Sequence, residues 1–152
     1  MVPVNGRALI DTNVLIYATL EGDHRFGASQ KLLLDDRDHR DDSIERFVSV
    51  QNLAEMYPNL TGSKMSFPDS PALARKKIES IASLSTIHVL PLTADIQRIA
   101  LELCEKYNIR KQKYFDMQLV ATMVVYGIST LFTENISDFT EFEELQIVNP
   151  FS

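Results

Sequence analysis

Residues 8–20 read ALIDTNVLIYATL, in which an apolar run ends at an acidic residue and a second apolar run follows it closely. The apolar triplet that ends at Ile10 is typical of a short buried strand, which we assign to Val4–Ile10. The apolar spacing in Val14–Leu20 predicts a helix or the beginning of one. Asp11 is therefore expected to lie where a strand passes into a helix.

The same alternation of strand and helix continues along the chain. Four further apolar runs predict strands at Phe47–Val50, Ile87–Leu90, Ile128–Phe132 and Leu145–Val148. Helical spacing of apolar residues predicts helices at Phe26–Leu34, Gln51–Tyr57, Ala72–Leu84, Ala94–Tyr107 and Tyr114–Tyr126. Strands that alternate with helices form a mostly parallel sheet covered on both faces. We therefore expect one domain, residues 1–152, with a three-layer α/β/α fold and a mostly parallel central sheet of four to five strands.

Residues that favour helix ends support several of these boundaries. Ser70 followed by Pro71 is a favourable helix start, and Thr93 can cap the next helix. Gly127 is suited to the end of a helix. Pro58 is expected to disturb the helix in which it follows Tyr57.

The composition predicts a globular domain that folds without disulfide bonds. The chain has 152 residues, of which 45% are hydrophobic, and its single cysteine is Cys104. No disulfide can form within one chain, which favours a reducing compartment. The first residues lack the basic start and apolar stretch of a secretory signal, and no run approaches the length of a membrane span. We therefore expect a cytoplasmic protein with no membrane association.

The formal net charge of −6 argues against a protein that coats nucleic acid through a basic surface. It does not exclude a nuclease, because carboxylates loaded with divalent cations attract phosphate. The acidic segment 35–42 mixes charges of both signs and is interpreted as a solvated loop. Of two basic runs, Arg75–Lys77 is interpreted as a solvated helix face. Arg110–Lys113 comes shortly before Asp116 and either faces solvent or guides a polyanionic substrate.

Four acidic residues occur where predicted strands pass into helices: Asp11, Glu55, Asp116 and Asp138. In a parallel α/β sheet, ligands gather beyond the carboxyl ends of the strands. Carboxylates that meet there can hold Mg²⁺ or Mn²⁺, which prefer oxygen ligands. Taken singly, helix capping also explains Asp11 and Asp138, and the helix dipole also explains Asp116. A charge at Glu55, among apolar neighbours, is costly without a partner. Their shared placement at strand ends favours a metal site.

Four segments resemble, in order, the four motifs of the PIN-domain nucleases. They are Leu9–Tyr17, Val48–Glu55, Tyr114–Ala121 and Thr133–Phe139. The resemblance spans nearly the whole chain and is greatest to the small VapC-type toxin ribonucleases of prokaryotic toxin–antitoxin pairs.

This resemblance implies a metal-dependent endoribonuclease with a cluster of acidic ligands. On the matching positions, Asp11, Glu55 and Asp116 are the core acids and Asp138 completes the site. A water molecule held by Asn135 is the alternative to Asp138, because many members of the family carry an acid where this chain has Asn135.

The resemblance also suggests residues that support the ligands. Thr12 and Thr133 match small hydroxyl positions that line the site. Asn13 matches a residue that orients the ligands, although helix capping explains it equally well. Glu134 is a lesser candidate for the fourth ligand.

The expected chemistry is hydrolysis of RNA assisted by Mg²⁺ or Mn²⁺, which needs no histidine or lysine base. His24, His39 and His88 are scattered through the predicted elements, which argues against a catalytic histidine. The expected substrate is single-stranded or looped RNA. The resemblance further implies a protein antitoxin as partner and a homodimer.

Two other functions remain open at the level of sequence. Phosphotransferases with an aspartyl nucleophile also place an Asp after the first strand, but their usual second Asp, two positions on, is Asn13 here. The other alternative is a catalytically inactive PIN-like module that binds RNA or protein. Such a module has no need of several carboxylates that repel one another.

Overall fold

The computed structural model describes residues 6–34 and 44–152. The strands are β1 (Arg7–Ile10), β2 (Glu45–Ser49), β3 (Ile87–Leu90), β4 (Thr130–Phe132) and β5 (Gln146–Val148). The helices are α1 (Thr12–Tyr17), α2 (Phe26–Leu34), α3 (Val50–Thr61), α4 (Pro71–Ala82), α5 (Ala94–Tyr107) and α6 (Tyr114–Tyr126). Short 3-10 turns span Lys111–Lys113 and Ile136–Phe139. The acidic segment 35–42, with His39, and the first residues of the predicted strand Val4–Ile10 lie outside the described residues.

The five described strands form one parallel sheet in the order β3-β2-β1-β4-β5. Strand β1 is central, and Leu9 lies opposite Phe47 of β2 on one side and Leu131 of β4 on the other. The strand order changes direction at β1, so a crevice is expected beyond the carboxyl ends of β1 and β4. The prediction of an α/β fold with a parallel central sheet is confirmed.

The two faces of β1 enter different parts of the core because successive side chains of a strand point to opposite sides of the sheet. Ala8 and Ile10 pack in a cluster that includes residues of α1, α3 and α4. Leu9 packs in a second cluster with residues of α5 and α6. Helices therefore cover both faces, which gives the three layers that the sequence predicts. Within the described part of the chain, no helix is both long enough and apolar enough to cross a membrane.

Helix α3 begins one residue earlier than the sequence suggests. The Ser49 hydroxyl accepts a hydrogen bond from the backbone N–H of Asn52 at 3.1 Å. The Asn52 side chain in turn accepts one from the backbone N–H of Ser49 at 2.9 Å. This reciprocal capping satisfies backbone donors at the first turn of the helix. It ends β2 at Ser49 and places Val50, predicted to be in the strand, in the helix.

The expectation that α3 stops near Pro58 is wrong. The helix continues through Pro58 to Thr61. Proline removes one backbone hydrogen bond, but tertiary packing can outweigh that loss. Leu60, in the turn after the proline, is fully buried, and the side-chain amide of Asn59 donates to the Glu55 carbonyl at 2.8 Å.

The helix ends predicted at Ser70, Thr93 and Gly127 are confirmed, whereas the predicted bounds of α1 are not. The side chains of Ser70 and Thr93 each accept a hydrogen bond from the backbone three residues on, at the starts of α4 and α5. Gly127 ends α6 in the left-handed conformation, with φ of 65°. Helix α1 begins at Thr12, two residues before the predicted start, because Asp11 caps it.

The backbone at Gly127 yields a stability prediction. A Cβ added there would meet Arg7 only at an ordinary distance of 3.6 Å, so Gly127→Ala should destabilise the fold mainly through its positive φ. We expect a loss of about 1 kcal/mol in urea denaturation.

The matched control is Gly27→Ala in α2, where an added Cβ has nothing within 4 Å and no positive φ opposes it. This change should stabilise the protein by about 0.5–1 kcal/mol, since alanine favours helix. Two variants with shifts of the same sign would contradict the backbone explanation.

Candidate metal centre

Asp11 is held between the two strands at the middle of the sheet. Its backbone N–H donates to the carbonyl of Phe132, the last residue of β4, at 2.9 Å. Its Oδ1 accepts from the backbone N–H of Thr12 at 2.8 Å, and its Oδ2 accepts from the hydroxyl of Thr133 at 2.8 Å. The carboxylate is therefore fixed at the carboxyl ends of β1 and β4.

The Thr133 hydroxyl takes part in three hydrogen bonds beside Asp11. Besides donating to Asp11, its fully buried Oγ1 accepts from Asn13 Nδ2 at 3.3 Å and from the backbone N–H of Asn135 at 3.0 Å. Asn13 Oδ1 accepts from the backbone N–H of Glu134 at 3.2 Å. Asn13 therefore joins α1 to the segment after β4, while capping of α1 is the role of Asp11.

Thr12 joins α1 to α3 through Asn52, a residue to which the sequence analysis gave no role. The Thr12 hydroxyl donates to the Asn52 carbonyl at 3.1 Å, and Asn52 Nδ2 lies 3.4 Å from Thr12 Oγ1 and 3.5 Å from Asp11 Oδ1. Both Thr12 and Asn52 are buried. A polar residue one turn before Glu55 on the same helix was the available signal.

Glu55 is approached by a second residue that the sequence analysis did not identify. Gln51, one turn earlier in α3, donates from Nε2 to Glu55 Oε1 at 2.7 Å. The same nitrogen donates to the carbonyl of Phe115 at 2.8 Å, in the first turn of α6. Helix α3, with Glu55, is thereby tied to the start of α6, where Asp116 follows Phe115.

Burial and the charges of neighbouring acids shift the pKa values of Asp11 and Asp116. Burial raises the pKa of Asp116 from 3.8 to about 7, and the charges of Asp138, Asp11 and Glu55 add to the effect against the opposing charge of Lys113. Burial also raises the pKa of Asp11 from 3.8 to about 6, although hydrogen bonds from Thr133 and Thr12 oppose the shift. Glu55 and Asp138 contribute further to the rise at Asp11.

Asp138 lies within the 3-10 turn Ile136–Phe139 and does not cap a longer helix. Its backbone N–H donates to the Asn135 carbonyl at 3.1 Å, and Phe139, which is buried, anchors the turn in the core. The Asn135 side chain is exposed. Asp138, held in this turn, is close enough to Asp116 for its charge to raise the pKa of Asp116.

Glu134 is engaged by other residues. Its carboxylate accepts from the Tyr17 hydroxyl at 2.6 Å and from Arg25 Nη1 at 2.8 Å. Arg25 also pairs with Asp23 at 2.8 Å and stacks over the Tyr17 ring, with 3.7 Å from Cζ to the ring centroid. Burial raises the pKa of Glu134, but the hydrogen bonds from Tyr17 and Arg25 outweigh burial and hold the net pKa below its usual value.

The chemistry of the donor set suits a hard divalent cation. All of the predicted ligands are carboxylates, and oxygen donors of this kind favour Mg²⁺ or Mn²⁺. Burial is the main cause of the raised pKa values of Asp11 and Asp116, and a cation between the acids would offset both the cost of burying their charges and the smaller repulsion from the neighbouring acids. Among residues 6–34 and 44–152, however, no three His, Cys, Asp or Glu side chains are already gathered into a metal-binding group. The acids lie within electrostatic reach, and a cation would have to draw them together.

Solved structures with the same fold come from toxin–antitoxin systems. VapC20 of Mycobacterium tuberculosis, described as a toxin that cleaves the sarcin–ricin loop, is 19% identical, with a TM-score of 0.65 over 91% of this chain and 98% of that chain. VapBC2 of Rickettsia felis, bound to a promoter DNA fragment, is 19% identical, with a TM-score of 0.63 over 94% and 98% of the two chains. VapBC-1 of nontypeable Haemophilus influenzae is 16% identical, with a TM-score of 0.64 over 96% and 99%. At these identities the likeness shows the fold.

Sequence comparison identifies the family. No curated protein sequence matches this chain. The model of the PIN domain matches residues 8–145, which include all four of the predicted acids and every described strand except Arg7 of β1 and the whole of β5. The chain therefore belongs to the PIN domain family.

Proposed function

We propose that this PIN domain is an endoribonuclease that depends on Mg²⁺ or Mn²⁺ held by Asp11, Glu55, Asp116 and Asp138. The observation that carries the proposal is that Asp11 and Asp116 are buried beside the charges of Glu55 and Asp138, at the edge of the sheet where the strand order changes direction. Neighbouring carboxylates that raise the pKa values of buried acids form a site that favours a cation.

The residues have distinct roles in the proposed reaction. Asp11, fixed by Thr12 and Thr133, is the rigid ligand, and Glu55 and Asp116 approach it from α3 and α6. When bound, the divalent cation supplies a Lewis acid that polarises the scissile phosphate and lowers the pKa of an attacking water. The protein's own contribution is to hold the oxygen donors in position and to keep their hydrogen-bonding partners ordered.

We assign the fourth ligand position to Asp138. Its charge has the largest effect of any neighbouring charge on the pKa of Asp116. The Asn135 side chain is exposed, and the Glu134 carboxylate is bound by Tyr17 and Arg25. Asn135 contributes through its backbone N–H, which helps to orient Thr133.

The biological setting we propose is that of a toxin in a toxin–antitoxin pair. Support comes from structures of the same fold, among them a toxin that cleaves the sarcin–ricin loop and complexes from toxin–antitoxin systems. The substrate would be single-stranded or looped RNA, whose backbone is accessible to the acidic site. A protein antitoxin, a homodimer and a cytoplasmic location complete the proposal.

No observation favours the aspartyl-nucleophile phosphotransferase. The residue two positions after Asp11 is Asn13. Its side-chain amide donates a hydrogen bond to Thr133 and accepts one from the backbone N–H of Glu134.

Replacing Asp116 with asparagine tests the proposed activity. Asp116→Asn keeps the shape of the side chain and removes a negative donor, so cleavage of single-stranded RNA with Mn²⁺ should fall by at least about 100-fold. The control is Glu79→Gln, which removes the same charge from an exposed pair with Arg75 on α4 and should cleave like the wild type. Wild-type cleavage by Asp116→Asn would refute its role as a ligand.

The raised pKa of Asp116 predicts how stability depends on pH without metal. Between about pH 4 and pH 7 the folded carboxyl keeps a proton that the unfolded chain has lost, so the protein loses stability as pH rises through this window. Asp116→Asn removes this loss. In EDTA, the Tm of the variant should exceed that of the wild type by at least about 2–4 °C near pH 8. The difference should shrink toward pH 4, and a difference independent of pH would contradict the prediction.

Calorimetry with Mn²⁺ distinguishes the candidates for the fourth ligand. Asp138→Asn should weaken binding by about tenfold or more, because a charged donor is lost. Asn135→Ala keeps the backbone N–H that binds Thr133 and should change the affinity little. The reverse pattern would assign the fourth position to a water molecule held by Asn135.

A further inference from the structure

Gln51 lies between α3 and α6 and contacts both with a single amide group. Its Nε2 donates to Glu55 Oε1 at 2.7 Å and to the Phe115 carbonyl at 2.8 Å. Glu55 is on its own helix, whereas Phe115 belongs to α6 and directly precedes Asp116. One –NH₂ group thus contacts one proposed ligand and the peptide unit next to another.

The orientation of this amide is set by its partners. A backbone carbonyl only accepts hydrogen bonds, so Nε2 of Gln51 must face Phe115. Oε1 of Gln51 then accepts from Gln118 Nε2 at 3.0 Å, and Gln118 Oε1 accepts from the Tyr114 hydroxyl at 2.8 Å. Reversal of either amide would bring like groups together. The chain of hydrogen bonds therefore has one direction, from Tyr114 to Glu55.

Burial of the two glutamines restricts the movement of this hydrogen-bond network. Gln51 and Gln118 are each 6% exposed, so an amide that loses a partner here has little access to replacement by water. Fully paired buried networks rigidify the groups that they join. The network consequently fixes the distance between the Glu55 carboxylate and the first turn of α6.

We propose that Gln51 is a positioning residue that sets the separation of Glu55 from Asp116 for metal binding. In this proposal Gln118 fixes the orientation of the Gln51 amide. The inference rests on the proposed metal centre. Partners that orient metal ligands commonly change metal affinity about 10–100-fold when they are removed. Gln51 acts through Glu55 and the α6 backbone, and it is not itself a ligand in this proposal.

Gln51→Met tests the proposal, because methionine has nearly the same shape but no donor. Calorimetry with Mn²⁺ and no RNA should show binding weakened by about tenfold or more. The matched control is Gln30→Met in α2. Gln30 also donates from Nε2 to a backbone carbonyl, that of Ala18 at 2.6 Å, but it touches none of the four acids. Its Mn²⁺ affinity should stay at the wild-type value even if its unfolding midpoint in urea falls.

The outcomes separate this inference from the proposed function. Wild-type protein that binds no Mn²⁺ would overturn the metal centre and this inference with it. Wild-type protein that binds Mn²⁺, with equal affinity in Gln51→Met, would overturn this inference alone. If Gln51→Met does not fold, Gln118→Met replaces it, since Gln118 contacts no proposed ligand and its loss should weaken Mn²⁺ binding in the same direction. Unchanged affinity in a folded Gln118→Met variant would then count against the proposal.

Discussion

Repulsion among carboxylates at one edge of the sheet is the constraint on which this structure depends. The strand order places β1 at the centre and brings Asp11, Glu55, Asp116 and Asp138 within electrostatic reach. Burial first, and then the charges of the neighbouring acids, raise the pKa values of Asp11 and Asp116, so the ionised cluster is unfavourable. A cluster of this kind persists because the fold is held together elsewhere, by the two apolar clusters on either side of the sheet.

Buried polar side chains counter that repulsion by fixing the positions of Asp11 and Glu55. Thr133 and Asn52 contact Asp11, and Gln51 contacts Glu55. These supporting residues are neutral, so they orient the carboxylates of Asp11 and Glu55 without adding charge to the acidic edge of the sheet. Because they come from α3 and from the segment after β4, they also tie the elements around the centre to one another.

The sequence predicted those features whose causes are local. Asp11 after an apolar strand and Thr93 at a helix start are recognisable from a few neighbouring residues, and the structure has them as expected. The helix through Pro58 was missed because buried packing in the following turn outweighs a local rule. The contact of Gln51 with Gln118 was missed because the two residues are 67 positions apart and meet only in the folded chain. Glutamine side chains are also uncharged, so a search of the sequence for acidic or basic residues does not identify them.

The distance in sequence between β1 and β4 has a consequence during synthesis. Asp11 obtains its hydrogen bond from Thr133 only after β4 has joined the central strand. A nascent chain that has not yet emerged from the ribosome as far as residue 133 cannot form this hydrogen bond, and one that has not reached residue 138 lacks the fourth acid. If the protein cuts RNA as proposed, a chain that stops before β4 would lack both the restraint on Asp11 and the acid at Asp138, and so part of the metal centre.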